Sequence, residues 1–460
     1  MSKVVLLWFF LVKMLCIHAA AQIVAGYVAN STGNTLVEFN VPFNTVVSSI
    51  PTSSSSTAAP SSIAISSDGL KVYVANKSSN TIGVIDPSTY SFSTISDSSF
   101  DSPVRIFINP SGTQAYVINN GNSTVSVLDL TSNTVIQTIA VGSNLKGGVF
   151  RPDGVYAYVT SAGDDSVYVI QTSVGSTASV FATIAIGSGI TPNQIAMNQV
   201  AISGVYYAYV ACSNSTSIRI INTSLNTVSS TVLVGSAARS EAVTPDGTNV
   251  YITRGGGIVR RMNTSTFVLT SVTDSASTFN SPNGIAITPD GTTAYVVNTG
   301  NNTLSIIDIS TNAVTGTIST NTGTALGALT VGSVAPLTAS LVTGSINLSG
   351  AYTTGVTASV TNTTPATVYG TLAAYQLNPS FLPPTPGWVS NQTAIGTPSS
   401  KTIASGTTNS SFSIDTSTGF SGSVQFDLLQ ASNQVSLSTI TDPNAAQSTL
   451  NIYSAYIISY

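Results

Sequence analysis

A tyrosine-anchored unit that occurs seven times constrains this chain more than any other feature. The anchors follow one another at intervals of 42 to 51 residues: Tyr27, Tyr73, Tyr116, Tyr158, Tyr209, Tyr251 and Tyr295. The last full copy, Gly284 to Ile318, contains four runs rich in Ile, Val, Thr and Tyr, and three clusters of turn residues separate them. Such runs favour strands, and Pro, Asp, Asn and Gly in the clusters favour tight reversals. Each copy therefore predicts one four-stranded antiparallel sheet.

Seven such sheets in succession predict a closed ring. Four strands in roughly 40 to 50 residues is the period of a propeller blade, and helical repeats do not contain so many β-branched runs. The first copy lacks one strand, because only Ile23 to Gly26 precede Tyr27, whereas an additional run follows the seventh copy at residues 325–331. We expect this run to complete the first blade, since closure removes an exposed sheet edge.

The residues around each anchor tyrosine form a specific motif as well. They read YVAN at Tyr27 and Tyr73, YVIN at Tyr116, YVTS at Tyr158, YVAC at Tyr209 and YVVN at Tyr295, with PDG at Pro152, Pro245 and Pro289. Over about residues 23 to 332 the chain resembles the YVTN-type β-propeller repeat family. The resemblance implies a protein of a microbial, especially archaeal, cell surface or surface layer. The fifth copy replaces the PDG turn by an insertion, and the sixth reads YITRGGG.

The N-terminus predicts a secretory signal peptide over residues 1–21. Lys3 precedes an apolar run from Val4 to Val12, and small residues follow at Ala19 to Ala21. The run is too short for a hydrocarbon core of roughly 30 Å, and Lys13 interrupts it, so a retained membrane anchor is disfavoured. We expect an extracellular or cell-surface protein with no transmembrane span in the mature chain.

The repeat ends after Ser333, and residues 338–460 predict a second domain. Short strand-like runs between turn residues favour an antiparallel immunoglobulin-like β-sandwich there. The predicted fold class is therefore all-β, a seven-bladed β-propeller over residues 22–333 followed by this sandwich. The second domain contains only four charged residues, Lys401, Asp415, Asp427 and Asp442. A surface made mostly of Ser, Thr and Asn repels its own copies weakly, which favours a layer or fibre.

The composition of the mature chain argues against an enzyme. His18 leaves with the signal peptide, so the usual Ser/His/Asp, Cys/His and His-ligated metal sites are excluded. Cys212 has no basic neighbour in its strand that would make it a thiolate. Related propellers that act as lactonases or lyases use His, Glu and Arg, and this chain does not contain that set. We therefore expect no catalytic residue, metal or cofactor, and a lactonase-like or lyase-like activity is the disfavoured alternative.

These observations favour a secreted, non-catalytic cell-surface protein with a structural or adhesive role, as part of a surface layer or appendage. The expected partners are other envelope proteins, copies of this chain and glycans. Nucleic acid is not expected, since seventeen anions outnumber eleven cations in the mature chain. A second hypothesis is a receptor that captures an anionic glycan at one mouth of the channel.

Aligning the copies places seven residues at that mouth: Arg105, Lys146, Asn193, Gln194, Arg239, Arg254 and Asn283. A channel lined with cations attracts anions, and the amide side chains would add neutral donors. Glu241, one step further in, would partly offset the positive charge. The simpler interpretation is that these cations bond nearby carbonyl groups.

Glycosylation sequons are also candidates for modification. Five of them fall in the turn between the second and third strands and would lie on one face of the ring: Asn30, Asn76, Asn122, Asn214 and Asn301. About ten sequons are expected by chance in a chain so rich in Asn, Ser and Thr, so their number carries no weight. Their shared placement is the informative feature.

Overall fold

Each copy of the repeat forms one four-stranded antiparallel blade. The computed structural model describes residues 23–334, apart from residues 42, 173–176 and 321–325, together with the backbone of nine strands between residues 344 and 452. No helix occurs among the described residues, and so none with the length and apolar character needed to cross a membrane. The ring has seven blades and the described chain is all-β, as the sequence predicts.

In the first three blades the strands are as follows. Blade 1 contains β1 (Ile23–Asn30), β2 (Thr35–Asn40) and β3 (Thr45–Pro51). Blade 2 contains β4 (Pro60–Ile65), β5 (Val72–Asn76), β6 (Thr81–Ile85) and β7 (Phe92–Ser96). Blade 3 contains β8 (Pro103–Ile108), β9 (Gln114–Asn119), β10 (Thr124–Asp129) and β11 (Thr134–Ala140).

The next four blades repeat this order from the inner to the outer strand. Blade 4 contains β12 (Leu145–Phe150), β13 (Tyr156–Ser161), β14 (Ser166–Gln171) and β15 (Ser179–Ala185). Blade 5 contains β16 (Pro192–Met197), β17 (Tyr207–Cys212), β18 (Ser217–Asn222) and β19 (Thr227–Leu233). Blade 6 contains β20 (Ala238–Val243), β21 (Asn249–Arg254), β22 (Ile258–Asn263) and β23 (Leu269–Ser271). Blade 7 contains β24 (Pro282–Ile287), β25 (Thr293–Asn298), β26 (Thr303–Asp308) and β27 (Ala313–Ser319).

The inner strand of blade 1 comes from the far end of the ring sequence. It is β28 (Leu326–Val334), which pairs antiparallel with β1 and places Val28 opposite Leu329. Val334 packs in one core cluster with Tyr27, and Leu326 packs in another with Val28. The strand expected at residues 325–331 corresponds to β28, which continues to Val334; residue 325 lies outside the described residues.

The core of the ring lies between the blades. Tyr73 and Val84 of blade 2, for example, share a buried cluster with Val117 and Leu128 of blade 3. All seven anchor tyrosines are at most 2% exposed. Each removes a large aromatic surface from water, which accounts for the repeated tyrosine without a chemical role.

Several anchor hydroxyls also fasten one blade to the next. The hydroxyl donates to an Asn Oδ1 in the last turn of the following blade: Tyr73 to Asn133 at 3.3 Å, Tyr158 to Asn226 at 2.7 Å, and Tyr295 to Asn44 at 2.6 Å. These three asparagines have φ values between 51° and 54°, in the left-handed region that Asn tolerates. The same asparagine thus forms the turn and accepts the hydrogen bond from the tyrosine of the neighbouring blade.

The Tyr295 hydroxyl is expected to contribute measurably to ring closure. Tyr295→Phe leaves the acceptor of Asn44 without its donor at the junction of blades 7 and 1, so we expect a loss of about 1–2 kcal/mol in the free energy of unfolding. Denaturant unfolding measures this. Tyr209→Phe is the matched control, because the equivalent position of the next blade is Phe267, which offers no acceptor. Equal losses in the two variants would contradict the prediction.

Beyond residue 343 the described elements are nine further strands. They are β29 (Gly344–Tyr352), β30 (Val356–Asn362), β31 (Thr367–Gln376), β32 (Thr393–Ala394), β33 (Ser399–Ile403), β34 (Thr408–Ile414), β35 (Phe420–Leu429), β36 (Val435–Thr441) and β37 (Asn451–Ile452). β30 pairs with β34 and β36, and β35 pairs with β29 and β31. The connections lie outside the described residues, so the immunoglobulin-like sandwich stays a prediction, as does the signal peptide at residues 1–21.

Candidate binding site at the channel mouth

The inner strands of blades 2 to 7 share a register shift close to their first residue. The shift falls between Pro60 and Ser62, Pro103 and Arg105, Leu145 and Gly148, Pro192 and Ile195, Ala238 and Ser240, and Pro282 and Ile285. Four of these strands begin with proline, which has no N–H to donate to the ladder. A bulge of this kind bends the strand and re-aims its side chains. In β16, Asn193 and Gln194 of the bulge are half-buried, while the residues on either side are buried.

Six of the seven predicted mouth residues belong to these bulges. Five lie between the two paired residues that bound a shift: Lys146, Asn193, Gln194, Arg239 and Asn283. The sixth, Arg105, is the residue at which pairing resumes after the shift in β8. Neighbouring bulges are tied together, because Asn193 Nδ2 donates to the Arg239 carbonyl oxygen at 2.9 Å and Thr160 Oγ1 donates to the Asn193 carbonyl oxygen at 2.7 Å. The structure thus places these residues at the second or third position of the inner strands around the channel.

The loops that lead into the inner strands lie on the same face as the turns between the second and third strands. Main-chain hydrogen bonds join the two within a blade, such as Ala162 N to Asn144 O and Ser213 N to Thr191 O, both at 3.0 Å. We call this end of the channel the mouth. The bulges open toward it, since each bulge follows directly after the leading loop.

Arg254 differs from the prediction. Its side chain is only 6% exposed, and its Nη1 donates to the Val234 carbonyl oxygen in the loop leading into β20. Gly235, with a φ of 95°, leaves the space that the guanidinium occupies. The side chain therefore fastens the loops of blade 6 to each other and is not presented to a ligand.

Lys77 is a cation of the mouth that sequence reasoning missed. It lies in the second turn of blade 2. Burial lowers the pKa of Lys146, and the positive charge of Lys77 lowers it further. Neither lysine has an ion-pair partner in the described part of the chain. The signal was available, because Lys77 directly follows the sequon residue Asn76 and such turns were expected on this face.

Glu241 does not offset the cations as expected. Burial raises its pKa to about 8, although the Ala211 N–H, the Arg105 charge and the Ala196 N–H each lower it in part. Both carboxyl oxygens are sealed from solvent. In blades 4 and 6, the hydroxyl groups of Thr160 and Thr253 donate to main-chain carbonyl oxygens in the inner strand of the next blade. Blade 5 has Ala211 at this position, which has no hydroxyl group. Glu241 is therefore mainly neutral at neutral pH.

Acidic side chains on the same face hold loops in place. Asp164 accepts from Ser161 Oγ at 2.7 Å and from Ser143 N at 2.8 Å, and these bonds hold its pKa at about 2. Asp165 accepts from Thr191 N at 3.0 Å and Gly189 N at 2.6 Å, which lowers its pKa. The mouth is thus a mixed surface on which these two acids serve the backbone, while Lys77 and Lys146 have no acidic partner among the described residues.

Two potentially reactive side chains, those of Cys212 and Glu38, are buried inside the ring. Cys212 is buried, and burial raises the pKa of its thiol to about 12, so its thiolate is scarce. Glu38 accepts hydroxyl bonds from Tyr27 at 2.8 Å, Ser48 at 2.9 Å and Tyr90 at 2.5 Å, and burial raises its pKa. Within the described ranges no group of three metal-ligating side chains comes together.

The structure divides the five sequon asparagines into two sets. Asn30 is 6% exposed and accepts a hydrogen bond from Gly33 N, and Asn76 is fully buried and donates to the Thr52 carbonyl oxygen at 3.0 Å. Attachment of a glycan to either amide would require the turn to open. Asn122, Asn214 and Asn301 are exposed. Of these five, only the last three are exposed in the folded ring.

Solved structures support the fold. A functionally unknown protein from Desulfotomaculum acetoxidans superposes with a TM-score of 0.56 at 18% identity, over 68% of this chain and 99% of that one. A proposed 6-phosphogluconolactonase from Bacteroides fragilis gives 0.51 at 17% identity over 68% and 99%, and one from Bacteroides uniformis gives 0.52 at 16% over 64% and 94%. No protein-family model matches the sequence and no curated protein does, so the likeness to YVTN-type repeats stays a prediction. At these identities the similarity concerns the fold alone.

Proposed function

We propose that this chain is a secreted, non-catalytic protein of the cell surface whose propeller serves as an interaction scaffold in a surface layer or appendage. The observation that carries the proposal is the fastening of the turns by side chains. Asp129 accepts from Thr131 N and Ser132 N at 2.9 and 2.8 Å, and Asn222 accepts from Ser224 N at 2.9 Å. A closed ring with fastened turns displays a fixed surface, which suits adhesion and lattice contacts.

The burial of three side chains that could act in catalysis supports a non-catalytic role. An acid or base must reach its substrate, and both glutamates of the chain, Glu38 and Glu241, are buried inside the ring. The Cys212 thiol is buried as well. Two structural neighbours are described as proposed lactonases, so lactone hydrolysis is the activity to assay first; turnover above the uncatalysed rate in buffer would overturn this part of the proposal.

The location is tested on the source cells. Antibodies against the ring would be used to follow the protein through fractionation into cytosol, envelope and medium, and isolated envelopes would then be imaged with labelled antibody. We expect the protein on the outer surface of intact cells, without residues 1–21. Recovery of the full-length chain from the cytosol would contradict the proposal.

Capture of an anionic glycan at the mouth is the second candidate function. Lys146 and Arg239 belong to bulges on inner strands, and the charge of Lys77 acts on Lys146; neither lysine has an acidic partner among the described residues. Like charges held together raise the free energy of the empty site, and a bound anion relieves that cost. Asn193 and Gln194 would add neutral hydrogen-bond groups for sugar hydroxyls.

Loss of two mouth cations is expected to weaken glycan binding. For Lys146→Gln with Arg239→Gln we expect the affinity for polygalacturonate to fall about tenfold, about 1.4 kcal/mol, with a shallower dependence on salt. The matched control is Lys71→Gln with Arg151→Gln, which removes the same charge from the opposite face, where both cations pair with Asp86 and Asp153. Binding that is equal in the two variants and insensitive to salt would show that the mouth is not the site.

A further inference from the structure

The outer strands of the blades contain no charged residue. These strands are β3, β7, β11, β15, β19, β23 and β27, and each is the fourth strand of its blade. Natural proteins usually protect such edges with lysine, proline or a bulge, because an unpaired edge is a template for another strand. Here proline occurs only at Pro51, the last residue of β3. The chemistry of these edges thus leaves them open to pairing.

Bulges give partial protection in blades 3 to 5 but leave a regular segment free. The shift in β11 falls between its second and fourth residues, Val135 and Gln137, and residues 137–140 then pair in unbroken register with β10. Residues 182–185 of β15 and 230–233 of β19 pair with their third strands in the same way. Each of the three blades therefore ends in four regularly spaced residues whose outer main-chain groups pair with no strand in the described part of the chain.

The exposed side chains of these edges are neutral, and each edge includes one large hydrophobic residue. Ile136 on β11 is 54% exposed, Phe181 on β15 is 54% exposed, and Leu233 on β19 is 72% exposed. Single exposed hydrophobic residues are common on protein surfaces. Their recurrence on the outer strands of three consecutive blades, among Thr, Ser and Ala, makes these edges suited to a dry contact.

The structure also contains an example of an outer edge that accepts a further strand. β3 of blade 1 pairs antiparallel with β31 of the C-terminal segment, with Ser48 opposite Val368 and Ser49 opposite Thr367. β3 has the same composition as the other outer strands and a bulge in the same place. The edges of blades 3 to 5 offer the same main-chain groups.

We propose that the outer edges of blades 3 to 5 pair, strand to strand, with the same edges on other copies of this chain. The blades radiate from the channel, so an edge-to-edge contact joins two rings side by side and repeated contacts extend a layer. A copy is the partner indicated because identical edges without charge do not repel each other, whereas like charges directly opposite would. This proposal rests on the proposed function, and it specifies how the layer would form.

The test places lysine on the edges of the full-length protein. The edge variant carries Thr138→Lys, Thr183→Lys and Thr231→Lys, one exposed threonine in each regular segment. The matched control carries Ser111→Lys, Ser224→Lys and Ser265→Lys, which add the same charge in exposed turns outside the three regular segments. Sedimentation over a concentration series and electron microscopy would compare both variants with the wild-type protein.

We expect the wild-type protein and the control to associate side by side, and the self-association constant of the edge variant to fall more than about tenfold. Amide hydrogen exchange should show protection of residues 137–140, 182–185 and 230–233 when the wild-type protein or the control associates. The edge variant should not show this protection. An unchanged melting temperature would show that the edge variant is folded.

Three results would overturn the proposal. They are equal association of the edge variant and the control, a wild-type protein that stays a single ring at every concentration, and protection confined to the strands of the C-terminal segment. Each leaves the cell-surface proposal standing if the protein is found on envelopes. Recovery from the cytosol would instead defeat the proposed function, whatever the association of the purified rings.

Discussion

A chain that ends before Leu326 is expected to lose the folded ring. Such a chain lacks β28, the nine-residue strand that forms the inner edge of blade 1. Tyr27 and Val28, both fully buried in the intact ring, then lose their inner neighbour, and the contact of blade 1 with blade 7 loses Leu326. A domain is typically stable by about 5–15 kcal/mol, and the loss of a whole strand with its packing is of that size.

Thermal unfolding followed by circular dichroism checks this expectation. The control is a chain that ends after Val334, which keeps all the strands of the seven blades. We expect a cooperative transition for the longer chain, and aggregation or a broad, weak transition for the shorter one. If both chains melt cooperatively at the same temperature, ring closure by β28 does not stabilise the fold.

The free energy of unfolding is expected to fall as the pH rises from about 4.5 to about 8, and Glu241 is the main cause. Burial raises the folded-state pKa of this carboxyl from 4.5 to about 8. In the unfolded chain the carboxyl ionises first, so its contribution is fully present below pH 4.5 and is lost as the pH passes through about 8. The difference between the two pKa values corresponds to about 5 kcal/mol. The raised pKa of Glu38 acts in the same direction.

Glu241→Gln removes the ionisation while keeping the shape of the side chain. We expect this variant to match the wild-type protein near pH 4.5 and to exceed it by several kcal/mol near pH 8.5. Urea unfolding at the two pH values measures the difference. The control is Asp97→Asn, the same chemical change at an exposed carboxyl. A wild-type protein equally stable at both pH values would refute the assignment.

The opposite trend is expected below about pH 4. Asp164 and Asp165 have lowered pKa values because they accept hydrogen bonds from hydroxyl and main-chain donors. Their contribution is present above the ordinary pKa of aspartate, near 3.9, and is lost as the pH falls through the folded values. The two sets of carboxyls together place the most stable pH on the mildly acidic side.

Local chemistry was enough to predict the blades. In the seventh copy, Gly291 has a φ of 72°, and Asp290 Oδ1 accepts from Thr292 N at 3.1 Å, as the PDG turn requires. The tyrosine interval set the number of blades, and the missing first strand pointed to a late replacement. These features depend on residues close together in sequence, or on a count along the chain, so they can be read without coordinates.

The fate of individual mouth side chains depended on the neighbouring loops and blades. The repeat alignment placed Arg254 beside Arg105 and Arg239, but a carbonyl group of the preceding loop binds its guanidinium. Asn76 and Asn122 each begin a sequon, but Asn76 is the last residue of β5 and is buried, whereas Asn122 lies in the turn after β9 and is exposed. A sequon specifies three residues, whereas exposure is decided by the loop that packs across them.

The sequence by itself therefore determined the period, the strand order and the face on which the mouth lies. Only the tertiary structure decided which side chains at that mouth are accessible and how they are charged. Lys77 and Lys146 are 69 positions apart, and the charge of Lys77 lowers the pKa of Lys146 because blades 2 and 4 face the same opening. Glu241 has its raised pKa because blade 5 seals it from water, and no pattern within blade 6 reports that burial. Electrostatic energies depend on distance and solvent access, and both are set by the ring as a whole.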